Sequence, residues 1–251
     1  MRFRLATFGL HLAGSACALG LILGGLYLGW YRWPGWYLVG ALRVIGIVLL
    51  VDIVIGPTLT LIVANPLKAR RVLARDVVII VAVQIIALVY GAVTLWLGRP
   101  LYYTFSVDRL EIVQASDLER AEIERARREN PDFAPHWYSL PRWVWAPLPE
   151  DREEASKIVN SAIFGGSDVI DMPRYFRAWS AGLPELRAKL SAVADISQLN
   201  KLERQSFTKR MAALGLAPEE HNAILLWSDL RRVLVVFDLK TLEIRAMLKP
   251  S

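Results

Sequence analysis

Three long apolar stretches, residues 5–30, 36–63 and 77–97, constrain this chain more than anything else in it. Each is long enough to cross the ~30 Å hydrocarbon core of a bilayer as a helix, which takes about 20 residues. Lipid offers no hydrogen-bonding partner, so an open chain satisfies its backbone there only by becoming helical. After residue 98 the sequence turns polar and holds no further stretch of this kind. The expected fold is a membrane protein. Residues 1–97 form three N-terminal transmembrane α-helices, and residues 98–251 form an α+β domain with antiparallel hairpins. A chain that is 54% hydrophobic fits that class better than a soluble one.

The net charge of +6 suggests nucleic acid until it is located. Before residue 98 the cations are Arg2, Arg4, Arg32, Arg43, Lys68, Arg70, Arg71 and Arg75, and the acids are Asp52 and Asp76. Those residues carry the whole excess, so the domain that follows is neutral and offers no footprint for DNA or RNA. The positive charge speaks instead to orientation. Four cations crowd the short connection 64–76, and Arg2 and Arg4 open the chain. Short loops rich in Lys and Arg stay cytoplasmic. The first connection holds Arg32 among Trp30, Tyr31, Trp33, Trp36 and Tyr37, which reads as an interfacial aromatic belt. The N-terminus is then cytoplasmic and the C-terminal domain periplasmic. Ala16-Cys17-Ala18 has the form of a signal-peptide cleavage site, but the apolar run continues to Trp30, so retention is expected. Cys17 is the only cysteine and sits in the first span, which leaves the domain no thiol chemistry.

In the domain, 101–107 and 110–114 flank Asp108-Arg109 and read as a hairpin. A charged helix is expected over 116–130, N-capped by Ser116 with Glu119 three residues on and ended by Pro131. Residues 131–149 hold five prolines among aromatics and read as an ordered, non-helical segment. Further helices are expected over 150–164, closed by Gly165-Gly166, and over 184–192, 198–214 and 218–226. A C-terminal hairpin is expected from 230–238 and 242–248 around Lys240-Thr241. The strands at the two ends of the domain are expected to share one antiparallel sheet.

Chemistry-bearing patterns are sparse. His11, His136 and His221 lack the spacing of a metal pair such as HExxH. Ser167 in Gly165-Gly166-Ser167-Asp168 is not framed as G-x-S-x-G, and the bland reading is a helix end and loop. Glu153-Glu154 point apart on a helix and read as a solvated face. No phosphate-binding glycine loop is present. No catalytic residue, metal site or cofactor is expected, and the chain is not expected to be an enzyme.

Polar groups inside the spans say more, because an ionisable side chain at membrane depth is a functional hypothesis by default. Asp52 lies about 16 Å from the cytoplasmic end of its span. His11 and Ser15 share a face of the first span, and Gln84 lies in the third; all three can converge on Asp52. Gly56-Pro57 should kink the second span and free backbone carbonyls. The candidate intramembrane polar cluster is therefore His11, Ser15, Asp52, Gly56, Pro57, Thr58 and Gln84. It serves either to fix helix register or to bind a partner. In the domain, Phe133, Trp137, Tyr138, Trp143 and Trp145 are either core aromatics or periplasmic docking anchors.

Several of these residues fall into an ordered series: Phe8-x-x-His11-Leu12-x-x-Ser15; Trp30-Tyr31-x-Trp33-Pro34; Asp52-x-x-x-Gly56-Pro57-Thr58-Leu59-Thr60; Asp76; Gln84-x-x-Ala87-Leu88-x-Tyr90-Gly91; and Arg99-Pro100. Over roughly residues 3–105 the series resembles the type IV pilin accessory proteins of the TfpX/TfpZ group. Asn65-Pro66 departs from it, where a lysine-rich stretch without proline would be expected. The resemblance implies a bacterial inner-membrane protein without enzymatic activity. It would support pilin stability or pilus assembly by binding the type IV pilin subunit, with membrane lipids as its other surroundings. The alternative is an envelope sensor, or an accessory subunit of another membrane machine, with a ligand-binding periplasmic domain.

Overall fold

The computed structural model describes residues 1–192 and 199–250. The chain divides into two units. One holds Met1–Arg32 with Gly40–Gly98, and the other holds Trp33–Val39 with Arg99–Ser251.

In the first unit, α1 (Arg2–Gly29) is followed by a helix built in three pieces and then by α5 (Arg70–Leu97). Among the described residues, these are three helices long and apolar enough to cross a membrane. Their outward faces carry exposed Leu10, Leu21, Ile47, Ile62 and Ile86, the pattern of helices bathed in an apolar solvent rather than water. α1 packs on the last piece of the middle helix, and α5 packs on its first and last pieces. The buried stripe of α5 is Gln84, Gly91 and Leu95. Gly91 is needed because a Cβ there would overlap the Val48 side chain. The Trp30 and Trp96 rings meet edge-on at 5.0 Å, and the Tyr31 hydroxyl donates to the Leu95 carbonyl at 2.5 Å.

The middle helix starts later than its hydropathy suggests. Its apolar run begins at residue 36, but Gly35–Leu38 is a separate short helix, α2, belonging to the second unit. Gly40 at φ +67° then turns the chain, a conformation in which glycine alone is unstrained. The span itself is α3 (Leu42–Leu49), a π-helical turn (Leu50–Ile55) and α4 (Gly56–Val63).

The second unit is built on a seven-stranded sheet among the described residues. Its strands are β1 (Pro100–Ser106), β2 (Arg109–Gln114), β3 (Arg142–Trp145), β4 (Arg177–Ala178), β5 (His221–Trp227), β6 (Arg232–Asp238) and β7 (Ile244–Leu248). The order is β4-β3-β1-β2-β5-β6-β7. Both expected hairpins form, β1 with β2 and β6 with β7. The sheet is nevertheless mixed rather than antiparallel, because β1 pairs with β3 and β2 with β5 in parallel.

The helix expected over 218–226 is β5. Ala223 and Leu225 join the core on one sheet face, and Ile224 and Leu226 join the core on the other. A strand buried on both faces reads as a continuous apolar run, which periodicity alone does not separate from a buried helix. The segment 131–149 is ordered and non-helical as expected, but it includes β3. The charged helix is shorter than expected, α6 (Arg120–Glu129), because Asp117 closes the end of β2 by accepting from the Gln114 N–H at 2.7 Å. The next helix, α7 (Arg152–Ile163), is N-capped by Asp151 and ends at Gly165. Two more follow, α8 (Leu183–Ala192) and α9 (Lys201–Ala213), the latter opened by an Asn200–Glu203 capping box. Position 198, expected to start that last helix, lies outside the described residues.

One sheet face packs against Leu186 and Leu190 of α8 and Leu38 of α2. On the other, Phe207 and Met211 of α9 cover β5 and β6, while Ile158, Ile170 and Phe176 cover the β1–β3 end. The segment Trp33–Val39 is thus part of the domain core. Leu38 is fully buried, its carbonyl accepts from the Ser228 hydroxyl at 2.8 Å, and the Trp33 indole donates to the Met247 carbonyl at 3.2 Å. The Lys249 ammonium lies 5.4, 5.0 and 4.6 Å from the ring centres of Trp33, Trp36 and Tyr37, within cation–π range. Of the aromatics read from sequence as an interfacial belt, Trp33, Trp36 and Tyr37 therefore grip the end of β7.

Candidate functional site

The polar residues of the spans meet in one place. A cavity of about 410 Å³ lies between α1 and α5, with the middle helix as its floor. His11 and Ser15 line one wall, Gln84 the other, and Asp52 and Thr60 the floor. Leu10, Val81, Ile85 and Leu88 make the rest of the surround largely apolar.

The floor follows from local backbone chemistry. In the π-turn the Gly56 N–H donates to the Val51 carbonyl, five residues back. In an α-helix it would have served Asp52. The next candidate donor is residue 57, a proline, which has no N–H. The Asp52 carbonyl is thereby orphaned, and the Gln84 side-chain amide donates to it at 3.2 Å. Gln84 comes this close because residue 56 has no side chain; a Cβ there would overlap the Gln84 amide. Pro57 is buried in the first turn of α4, directly after Gly56. Such π-turns recur at functional sites.

Across the floor, His11 Nδ1 and Thr60 Oγ1 share a hydrogen bond of 2.5 Å. Two acceptors stay unsatisfied: Asp52 Oδ2 and Gln84 Oε1 are buried and find no partner among the described residues. Asp52 is only 3% exposed and Gln84 6%. The structure brings together His11, Ser15, Asp52 and Gln84, with Gly56 against them. Thr58 is exposed on the outer face of α4 and takes no part. Thr60 is the residue that sequence reasoning missed as a site member. Counting in fours from Asp52 passes through Gly56 to Thr60, so the helical period did carry the signal.

The five aromatics proposed as docking anchors separate into two groups. Trp143 stacks on Tyr103 at 4.9 Å and meets Trp179 edge-on. The Trp145 indole donates to Glu185 at 3.0 Å. Phe133 lies under the Arg142 guanidinium at 4.8 Å, and its carbonyl accepts from the Tyr102 hydroxyl at 2.7 Å. These three hold the domain together. Trp137 and Tyr138 instead stand 72% and 57% exposed, with His136 stacked on Tyr138.

A second feature of the domain is a group of acids around Arg109, which pairs with Glu111 at 2.6 Å and with Asp168. Asp171 beside them is pushed up to about 6, first by burial and then by Asp117 and Asp168. A raised carboxylate favours the fold only while protonated. Its contribution is present below the ordinary value of 3.8 and is lost as pH rises through about 6. Asp171→Asn retains an acceptor for the Asp168 N–H without the charge. It is expected to be more stable than wild type at pH 7.5 by about 1–2 kcal/mol, allowing for solvent screening. That gap should close as pH falls toward 4. Thermal melts of the full-length protein across this range check it; a pH-independent difference refutes the assignment.

No family model matches the chain, and no solved structure matches it. Similarity to known proteins exists at the level of sequence. The chain is 26% identical over 216 residues to the fimbrial assembly protein of serogroup I from Dichelobacter nodosus, covering 84% of this chain and 81% of that protein. The serogroup E1 protein of the same organism aligns with the same identity and coverage. The protein of serogroups C1 and C2 is 28% identical over 118 residues, 47% of this chain and 90% of that protein. Along most of its length, then, this chain is similar to proteins named for the assembly of fimbriae.

Proposed function

We propose that this protein is a non-enzymatic assembly factor for type IV pili, held in the bacterial inner membrane, that binds the pilin subunit before it polymerises. The observation that carries the reading is the similarity to fimbrial assembly proteins across both the helical unit and the domain. The helical unit supports a membrane site of action, since its outward faces are apolar while Asp52, Thr60 and Gln84 are buried inside it. The cations of the 64–76 connection support an orientation with the N-terminus in the cytoplasm and the domain in the periplasm. The fold of the domain supports the same parity. It incorporates Trp33–Val39, so the first connection and the C-terminal domain share one side of the membrane. Trp137 and Tyr138 are the exposed anchors through which the domain meets the pilin head.

Two contacts on one membrane-held partner gain from high effective concentration, so neither has to be strong alone. Deleting the gene is expected to reduce surface piliation severalfold, and a photo-cross-linker at Trp137 should trap the pilin. A periplasm-active reporter fused after Ser251 should be active, and one inserted near Arg71 silent. Normal piliation without any pilin adduct defeats the reading and favours an envelope sensor.

A further inference from the structure

We infer that the cavity between α1 and α5 is a lateral docking groove for one transmembrane helix of the partner, entered by a hydrogen-bond donor on that helix which meets Asp52 and Gln84. The inference deepens the assembly reading and rests on it.

The first argument is shape. On α1 the lining runs from Thr7 to Ala18, and on α5 from Val77 to Leu88. Eleven residues of helix rise about 16 Å, so the two walls run side by side over three turns. A compact solute would need one turn of each; an elongated groove suits a helix. The second argument is approach. Gly14 and Ala18, one turn apart, line the α1 wall, and the space a Gly14 Cβ would enter is open. Small residues at this spacing are what allow helix backbones to come close in lipid.

The third argument names the chemistry. Asp52 Oδ2 and Gln84 Oε1 are both acceptors, both buried, and both without a partner among the described residues. An unmet carboxylate oxygen in apolar surroundings is costly, so the complementary group is a donor: a hydroxyl or an ammonium carried on the partner helix. The Gln84 amide turns its nitrogen toward the Asp52 carbonyl, which leaves its Oε1 facing no donor among the described residues. The walls beyond these two groups are apolar, which matches a helix that is otherwise hydrophobic.

The test uses the full-length protein in its native cell membrane, with the pilin subunit as the probed partner. A benzoylphenylalanine cross-linker is placed at Leu10, which lines the groove and is exposed. A second is placed at Trp137 in the domain. The expected result is a pilin adduct from both positions. Asp52→Ala should lower the Leu10 adduct about threefold to tenfold, the span of one interhelical hydrogen bond in lipid. Gly14→Leu narrows the groove mouth where nothing in the fold opposes it, and it should lower the adduct at unchanged protein abundance. That second variant keeps the test decisive if Asp52→Ala fails to accumulate. A pilin adduct at Trp137 with none at Leu10 overturns the groove and leaves the assembly reading standing. No adduct at either position, with normal piliation, overturns both. An adduct at Leu10 only with a second copy of this chain, or one indifferent to both substitutions, also overturns the groove.

Discussion

Leu38→Ala is expected to destabilise the C-terminal domain by about 2–5 kcal/mol, the range for removing a buried leucine from a packed core. Leu38 is fully buried against the face formed by Phe105, Leu226, Val235 and Phe237. It reaches that core from the connection between two of the long apolar helices, about sixty residues before the first strand. Its surroundings are set by the rest of the domain: the Ser228 hydroxyl holds its carbonyl, and the Arg231 guanidinium donates to the Tyr37 carbonyl at 3.2 Å. These bonds survive the truncation, so the site has little freedom to collapse and the cost should fall toward the upper part of the range. Thermal unfolding of the full-length protein in nanodiscs, followed through domain tryptophans, measures it. If residues 35–38 only lie at a membrane surface, Leu38→Ala leaves the melting temperature unchanged.

Gly56→Leu should be nearly as damaging, and in the other unit. The added side chain meets the Gln84 amide and displaces it from the Asp52 carbonyl. Overpacking costs about 1–3 kcal/mol. The lost interhelical bond adds about 0.6–1.7 kcal/mol. In a cell, a loss of that size shows as severalfold lower abundance. The sharper check is the pair. Gln84→Ala empties the space that the leucine needs, so Gly56→Leu with Gln84→Ala should recover part of the abundance that either change loses. Strictly additive losses would show that the two residues do not touch.

The sequence was most legible where one physical demand dominates. Lipid forces helices, so the first and third spans stand out, and period-2 patterning around Asp108-Arg109 and Lys240-Thr241 marks both hairpins. It was least legible where distant segments decide the outcome. Ala223 to Leu226 is apolar on every side because sheet neighbours bury both faces, and the run itself does not name those neighbours. The parallel pairings of β1 with β3 and β2 with β5 depend on intervening helices, not on local pattern. Trp33, Trp36 and Tyr37 have the composition of an interfacial belt, and only the fold shows Lys249 among them. In the cluster, His11, Ser15, Asp52 and Gln84 were visible because polar groups are rare in such helices. Thr60 was hidden because a threonine inside an apolar run carries little contrast. The π-turn was hidden too; proline foretells a disturbed ladder without saying which form it takes.

If the long helices cross a bilayer as proposed, a domain that borrows a strand-clasping segment from between two of them makes its own maturation conditional on how the chain entered it. If the middle helix or α5 fails to cross, Leu38 and the ring cage for Lys249 end up across the membrane from the sheet that needs them. Such a chain still has every strand, yet it presents an unfilled hydrophobic face to whatever proteases patrol that compartment. Misinserted molecules would then be cleared without any dedicated inspection of their helices. Tertiary structure outside the lipid would serve as the proofreader of topology within it.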